Sequence, residues 1–187
     1  GEFLYYVMPF VEGESLRDRL ARGELPVTDA LRIMAEVADA LANAHAHNVV
    51  HRDIKPDTIL LSGRHALVAD FGVAKAVSEA AGQSAMTTAG VALGTPAYMA
   101  PEQAMADPHL DHRVDIYALG VVGYEMLAGH PLFAATTAQA LLAAHATQDP
   151  EPLERTRPGV PPALAAVIHR CLAKRPADRW QQASDLL

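Results

Sequence analysis

Disulfide chemistry is excluded first: Cys171 is the only cysteine, and a lone thiol fits a reducing compartment. No apolar run reaches the roughly 18 residues that a membrane-spanning helix requires. No charged-then-apolar leader pattern is present in this stretch. Aromatic residues make up only 5% of the chain while alanine is heavily used, a balance that suits a mostly helical domain. The formal net charge of -7 argues against a general nucleic-acid or anionic-membrane surface. Lysine is scarce, with Lys55, Lys75 and Lys174 alone. What remains is 187 residues, 50% of them apolar, enough for one domain with a real core.

The chain opens without Met, inside the strand-like run Phe3–Met8, and closes at Ala183–Leu187 inside what reads as an amphipathic helix. Both ends read as cut, so a single domain over 1–187, part of a longer protein, is expected. Pro9 and the run Phe10-Val11-Glu12-Gly13 end the first strand. Leu16 and Leu20 stand four apart among charges over Glu14–Arg22, which predicts a short surface helix. Thr28 is expected to cap a longer helix, with Asp29 in its first turn and Leu31, Met34, Val37, Ala38, Leu41 and His45 on its apolar face.

Two short apolar pieces, Ile59-Leu60-Leu61 and Ala66–Ala69, flank the turn Ser62-Gly63-Arg64-His65 and predict a β-hairpin. The hairpin brings Asp53, Thr58 and Asp70 to one edge. Residues 73–100 are rich in Ala, Gly, Ser and Thr and read as a loop carrying hydroxyls. From Asp111 to Leu127 the pattern is helical and almost wholly apolar past Tyr117, with Gly129 as its stop, so a central buried helix is expected. Asp115 in its first turn is then a buried acid that needs partners. Thr136–Ala146 and Pro162–Leu172 complete the helices, with a Pro-rich connection over Pro150–Pro161.

Three motifs stand in order along this framework: His51-Arg52-Asp53-Ile54-Lys55-Pro56-Asp57-Thr58, then Asp70-Phe71-Gly72, then Gly94-Thr95-Pro96 with Ala100-Pro101-Glu102. Singly, each carboxylate would be a cap or a surface charge. In this order and spacing they resemble the catalytic loop, the metal-binding loop and the end of the activation segment of protein kinases. The likeness covers essentially the whole chain and is closest to the large lobe of the bacterial, eukaryotic-like (Hanks-type) Ser/Thr kinases. It implies a mainly α, protein-kinase-like fold: a helical C-terminal lobe with a small β-hairpin, and an N-terminal lobe almost wholly absent from this stretch.

Phosphoryl transfer needs alignment of the acceptor hydroxyl and positive charge on the phosphates. By the resemblance, Asp53 orients or accepts the acceptor proton, Lys55 neutralises the transferred group, and Thr95 bonds both and favours a Ser/Thr acceptor. Asp70 holds Mg2+ or Mn2+ on the ATP phosphates, a hard cation on a hard oxygen. Met8, Pro9 and Val11 line the adenine from the hinge, and Leu60 floors its pocket. Pro9 is compatible because only its carbonyl is needed. His51 and Phe71 read as packed residues, with Gly72 completing the metal loop. Asp115 is expected to hold the backbone of His51-Arg52, and Glu102 to pair with Arg179. Arg52 marks kinases whose loop is switched by phosphorylation, with Thr87 and Thr88 as the acceptors.

The same resemblance implies protein substrates carrying Ser or Thr, self-association for autophosphorylation, no nucleic acid, no membrane contact within this segment and a cytoplasmic kinase domain. Two departures stand out. Thr58 occupies the position of an Asn that supplies a second metal ligand, which is expected to weaken metal binding and keeps a pseudokinase or scaffolding module as the alternative. No lysine precedes the hinge, so the phosphate-anchoring strand lysine is missing here and the stretch alone is expected to be nearly inactive. A small-molecule kinase is disfavoured, because the 94–102 segment serves to hold a peptide. His45, His47 and His51, and His109 with His112, form no metal set at ligand spacing.

Overall fold

The computed structural model describes residues 10–71 and 95–187. Met8, Pro9, Gly72, Thr87 and Thr88 lie outside them. The described part is mainly helical, with a small antiparallel sheet whose strand order is β1-β2-β3. Strand β2 (Ile59–Ser62) and β3 (His65–Val68) form the expected hairpin, in the register Ile59↔Val68 to Ser62↔His65. Its tight turn needs a left-handed residue, and Gly63 supplies it at φ 58.

A third strand was not expected. Glu14–Ser15 (β1) pairs with Leu60-Leu61, and the helix follows only at Leu16–Ala21 (α1). The reason is local. Ser15 accepts a hydrogen bond from the Asp18 amide and so caps α1, which leaves residues 14–15 extended. Gly13 lets the backbone cross β2 closely, since a Cβ there would lie 2.0 Å from the Leu61 carbonyl oxygen.

Helix α2 (Val27–Ala46) starts one residue before Thr28, with Pro26 at its cap and no side-chain cap bond. Its buried stripe is Ala30, Ile33, Met34, Val37, Ala38 and Leu41, while Leu31 is 52% exposed. At 100° per residue Leu31 lies about 90° from the middle of that stripe, beyond its edge, while Ile33 lies on the stripe's other side, in row with Val37 and Leu41. The short α3 (Pro101–Ala104) leads to α4 (Arg113–Ala128), which is buried continuously from Val114 to Leu127 and stopped by Gly129 at φ 75. Helices α5 (Ala138–Thr147), α6 (Leu153–Thr156) and α7 (Pro162–Cys171) follow, so the Pro-rich connection contains a helical turn. The final segment Ala183–Leu186 is a 3-10 turn, not the α-helix expected.

Helices α2 and α7 pack on α4, and two glycines set how closely. A Cβ on Gly123 would lie 2.7 Å from Met34 Sδ of α2, and one on Gly120 2.6 Å from Cys171 Cβ of α7. Cys171 is fully buried, and burial pushes its thiol up to about 12, which keeps it protonated.

Arg179 is fully buried and meets Glu102 in a fork, Nη1 to Oε1 at 2.6 Å and Nη2 to Oε2 at 2.7 Å. Its other donors reach the carbonyls of Ala173 (2.8 Å), Arg113 (3.0 Å) and Lys174 (3.0 Å). All of the guanidinium donors are therefore used. This ties α3, α4 and the chain after α7 into one unit. Arg179→Met is expected to cost about 3–5 kcal/mol in urea unfolding, because Glu102 is left buried and unpaired. The double variant Arg179→Met/Glu102→Gln is expected to recover part of that loss.

His145 on α5 is also fully buried, 2.9 Å from Tyr117 Oη through Nδ1. Burial, with Lys174 adding to it, pulls its pKa down from 6.5 to about 4. The folded state thus binds fewer protons than the unfolded state between these values. Stability contributed by neutral His145 is present above pH 6.5 and is lost as pH falls towards 4. Between pH 7 and 5 the loss is expected to be about 1–2 kcal/mol and to be absent from His145→Gln when the two pH–stability profiles are compared.

Candidate active site

The loop 51–58 is held by its backbone. Asp115, fully buried at the start of α4, accepts from the His51 amide at 2.8 Å and the Arg52 amide at 2.7 Å. His45, on the last turn of α2, donates Nε2–H to the same carboxylate at 2.9 Å. Arg52 has φ 69, a left-handed conformation costing a non-glycine residue about 1–3 kcal/mol, and these bonds hold it there. From the other side Gln103 of α3 donates to the Arg52 carbonyl at 3.1 Å. Neither His45 nor Gln103 was singled out from the sequence for this. The i+4 spacing of His45 from Leu41 said only that it faced inward.

His51 is buried and acts as a bridge. Its Nδ1 accepts from the Asp53 amide at 3.2 Å, so Nε2 carries the proton and donates to the Ala69 carbonyl at 2.7 Å. Ala69 N–H in turn donates to the Thr58 carbonyl at 2.9 Å. These bonds dock the start of the Asp70 segment onto the loop. Asp70 itself has φ 65, a left-handed conformation. The Phe71 ring meets His51 edge-on at 4.8 Å between centroids and is 36% exposed.

Asp53, Lys55 and Thr95 converge. Lys55 Nζ lies 2.6 Å from Asp53 Oδ2 and donates to Thr95 Oγ1 at 3.1 Å. Thr95 reaches Asp53 through its backbone, N–H to Oδ1 at 3.4 Å. The lysine and aspartate side chains are about a fifth to a quarter exposed, at 21% and 25%, so the pair is partly open to solvent. Val11 and Leu60 are both half-buried, Leu60 on β2 opposite Ser15.

Thr58 turns inward. It is 3% exposed, and its hydroxyl accepts from the Lys55 amide at 3.2 Å and faces the carbonyls of Lys55 (3.1 Å) and Asp53 (3.2 Å). One hydroxyl proton serves these carbonyls, and the oxygen is engaged by the loop itself. Arg52 Nε is buried without a hydrogen-bond partner among the described residues.

A second group, unforeseen from the sequence, borders this site. Arg17 of α1 donates to Glu125 of α4 at 2.7 Å and to the Tyr98 hydroxyl, which donates in turn to the other Glu125 oxygen at 2.6 Å. Arg17 also lies 3.5 Å from Asp57. Burial and the Glu125 carboxylate push the Tyr98 phenol well above its ordinary range. Among the described residues no helix is long and apolar enough to cross a membrane, and no group of His, Cys, Asp and Glu is arranged as a metal site.

Comparison with known proteins agrees in fold and in sequence. The chain is 39% identical over 188 residues to the serine/threonine-protein kinase PknB of Mycolicibacterium smegmatis, covering all of this chain and 30% of that protein. It is 40% identical over 185 residues to pkn3 of Myxococcus xanthus, covering 94% of this chain and 34% of that one. With PknD of Mycobacterium tuberculosis it shares 43% over 190 residues, covering 28% of that protein. The chain thus spans about a third of the length of these relatives. A crystal structure of the Mycobacterium tuberculosis PknI kinase domain superposes with a TM-score of 0.69 at 29% identity, over 95% of this chain and 60% of that one. The family model described as "Protein kinase domain" matches residues 1–187, and the chain belongs to the protein kinase family.

Proposed function

We propose that the protein carrying this chain transfers the γ-phosphate of ATP to Ser or Thr of protein substrates. The observation that carries the reading is the Asp53–Lys55–Thr95 contact, set in a loop whose backbone is clamped by Asp115. Asp53 would orient the acceptor hydroxyl and take its proton, while Lys55 would offset charge on the transferred group. Asp70, docked beside the loop through Ala69, would supply the carboxylate oxygens that suit Mg2+ or Mn2+. Bound metal would neutralise charge between the phosphates. Met8, Pro9, Val11 and Leu60 would hold the adenine end. The names of the relatives, each a serine/threonine-protein kinase, support the acceptor class.

Arg52, whose buried Nε has no hydrogen-bond partner among the described residues, supports regulation by phosphate on Thr87 or Thr88 of the loop that follows. Transfer between copies then requires self-association. The free buried thiol of Cys171 fits a reducing, cytoplasmic setting for the domain. A domain over 1–187 that continues beyond this stretch fits the span of the relatives.

The pseudokinase reading draws on one observation, the engaged hydroxyl of Thr58. Thr58 would support the loop geometry and leave the metal set one ligand short. Mg·ATP autophosphorylation of the full-length gene product separates the readings. Asp53→Asn is expected to lower the rate about 100- to 10,000-fold, and phosphate mapped in the wild type should fall on Thr87 or Thr88. Absence of phosphate with ATP still bound would favour the pseudokinase. Thr58→Asn is expected to lower the Mg2+ concentration for half-maximal rate by about tenfold, the lower end of what a partner at a metal site contributes. An unchanged Mg2+ dependence would remove the proposed deficit.

A further inference from the structure

Glu125 is 6% exposed, yet it is an acid on the most continuously buried helix among the described residues. Its two oxygens are taken by Arg17 and by the Tyr98 hydroxyl at 2.7 and 2.6 Å. Asp57 faces the same guanidinium at 3.5 Å and remains half exposed. Two of these partners belong to the site: Asp57 lies two residues beyond Lys55, and Tyr98 three beyond Thr95. The guanidinium also lies 5.8 Å from the centre of the Tyr98 ring. A cleft of about 340 Å³ opens beside it, lined by Arg17, Glu125, Met126, His130 and Pro131 among others.

Two carboxylates, a phenol and an aromatic face form a receptor built for a guanidinium or ammonium. Here the cation comes from the protein's own α1. An ion cluster that is partly open to solvent gives little net stability, so discrimination between partners is the more informative reading. Arg17 is 37% exposed at its side chain, so it forms part of the surface that an acceptor peptide would approach. A peptide cation arriving there would meet a like charge and find the carboxylates already paired.

We propose that Arg17 is a specificity-determining residue: its guanidinium occupies the Glu125–Asp57–Tyr98 receptor in cis, so that acceptor peptides with Arg or Lys beside the acceptor hydroxyl are disfavoured. This rests on the protein kinase reading above. Arg17→Met keeps the apolar stem and uncovers both acids, which turns the subsite towards basic peptides.

The test compares the full-length wild type with Arg17→Met and with Arg17→Met/Glu125→Gln. Each is given Ser/Thr peptides that carry either arginine or norleucine at each position flanking the acceptor. Both phosphate transfer and binding of Ala-acceptor versions, by fluorescence anisotropy, are read as the arginine-to-norleucine ratio. The wild type is expected to show no preference for arginine at any flanking position. In R17M the ratio should rise about tenfold at one position, the effect of one charge-assisted bond. That gain should shrink in high salt and vanish in the double variant. An arginine preference in the wild type, or an unchanged ratio in R17M, overturns the proposal. A merely structural role for Arg17 would change rates without changing the ratio. If R17M loses its circular-dichroism signature of folding, Arg17→Gln carries the same expectation. Absence of transfer in every form would count against the kinase reading alone, because the binding ratio still decides the proposal.

Discussion

A carboxylate with no exposed surface needs hydrogen-bond donors brought to it, and Asp115 is the point at which this chain meets that demand. The donors are the amides of His51 and Arg52 and the ring of His45. The consequence runs both ways. The acid is satisfied, and the loop acquires a backbone shape, with Arg52 left-handed, that it would not adopt unaided. From that fixed point His51 carries the constraint on through Ala69 towards Asp70, and Gln103 closes the loop from α3. The contact of Asp53, Lys55 and Thr95 is thus set on a loop whose backbone is held from elsewhere in the fold.

Such a clamp needs a rigid base. Helix α4 provides it by being buried on all sides, and the absence of side chains at Gly120 and Gly123 lets α7 and α2 approach its backbone. The Glu102–Arg179 fork holds α3 to the same base, so Gln103 and the Thr95–Tyr98 segment are referenced to one body. Arg17, Tyr98 and Glu125 add a further tie, from α1 to α4 across the mouth of the site. Its chemistry differs from that of the fork, because it is partly open to solvent and pairs two acids with one cation.

The contrast between Thr58 and the residue expected there follows from side-chain reach. A short hydroxyl beside its own backbone finds partners within the loop, at 3.1 to 3.2 Å, before it can find any group opposite. The loop geometry is supported, and the cost falls on the side that would face a metal.

Much of this was legible in the residues themselves. The hairpin, the buried α4 with its Gly129 stop, and the family resemblance all rest on local periods and ordered motifs, which a linear reading captures. The contacts of Asp115 and the Glu102–Arg179 pair were expected only through that resemblance. Leu31, Thr28 and the strand at Glu14–Ser15 were misread because one residue of offset decides a helix face, and because β1 exists only through pairing with β2. Gln103, Arg17 and Glu125 carried no signal, and His45 only that it faced inward, since their partners lie 27 to 108 residues away in the chain. The sequence by itself determined the family, because the order and spacing of His51–Thr58, Asp70–Gly72 and Gly94–Glu102 are linear properties. Only the tertiary structure decided which buried charges meet, because pairing depends on where separate helices bring their side chains, and no spacing along the chain encodes that distance.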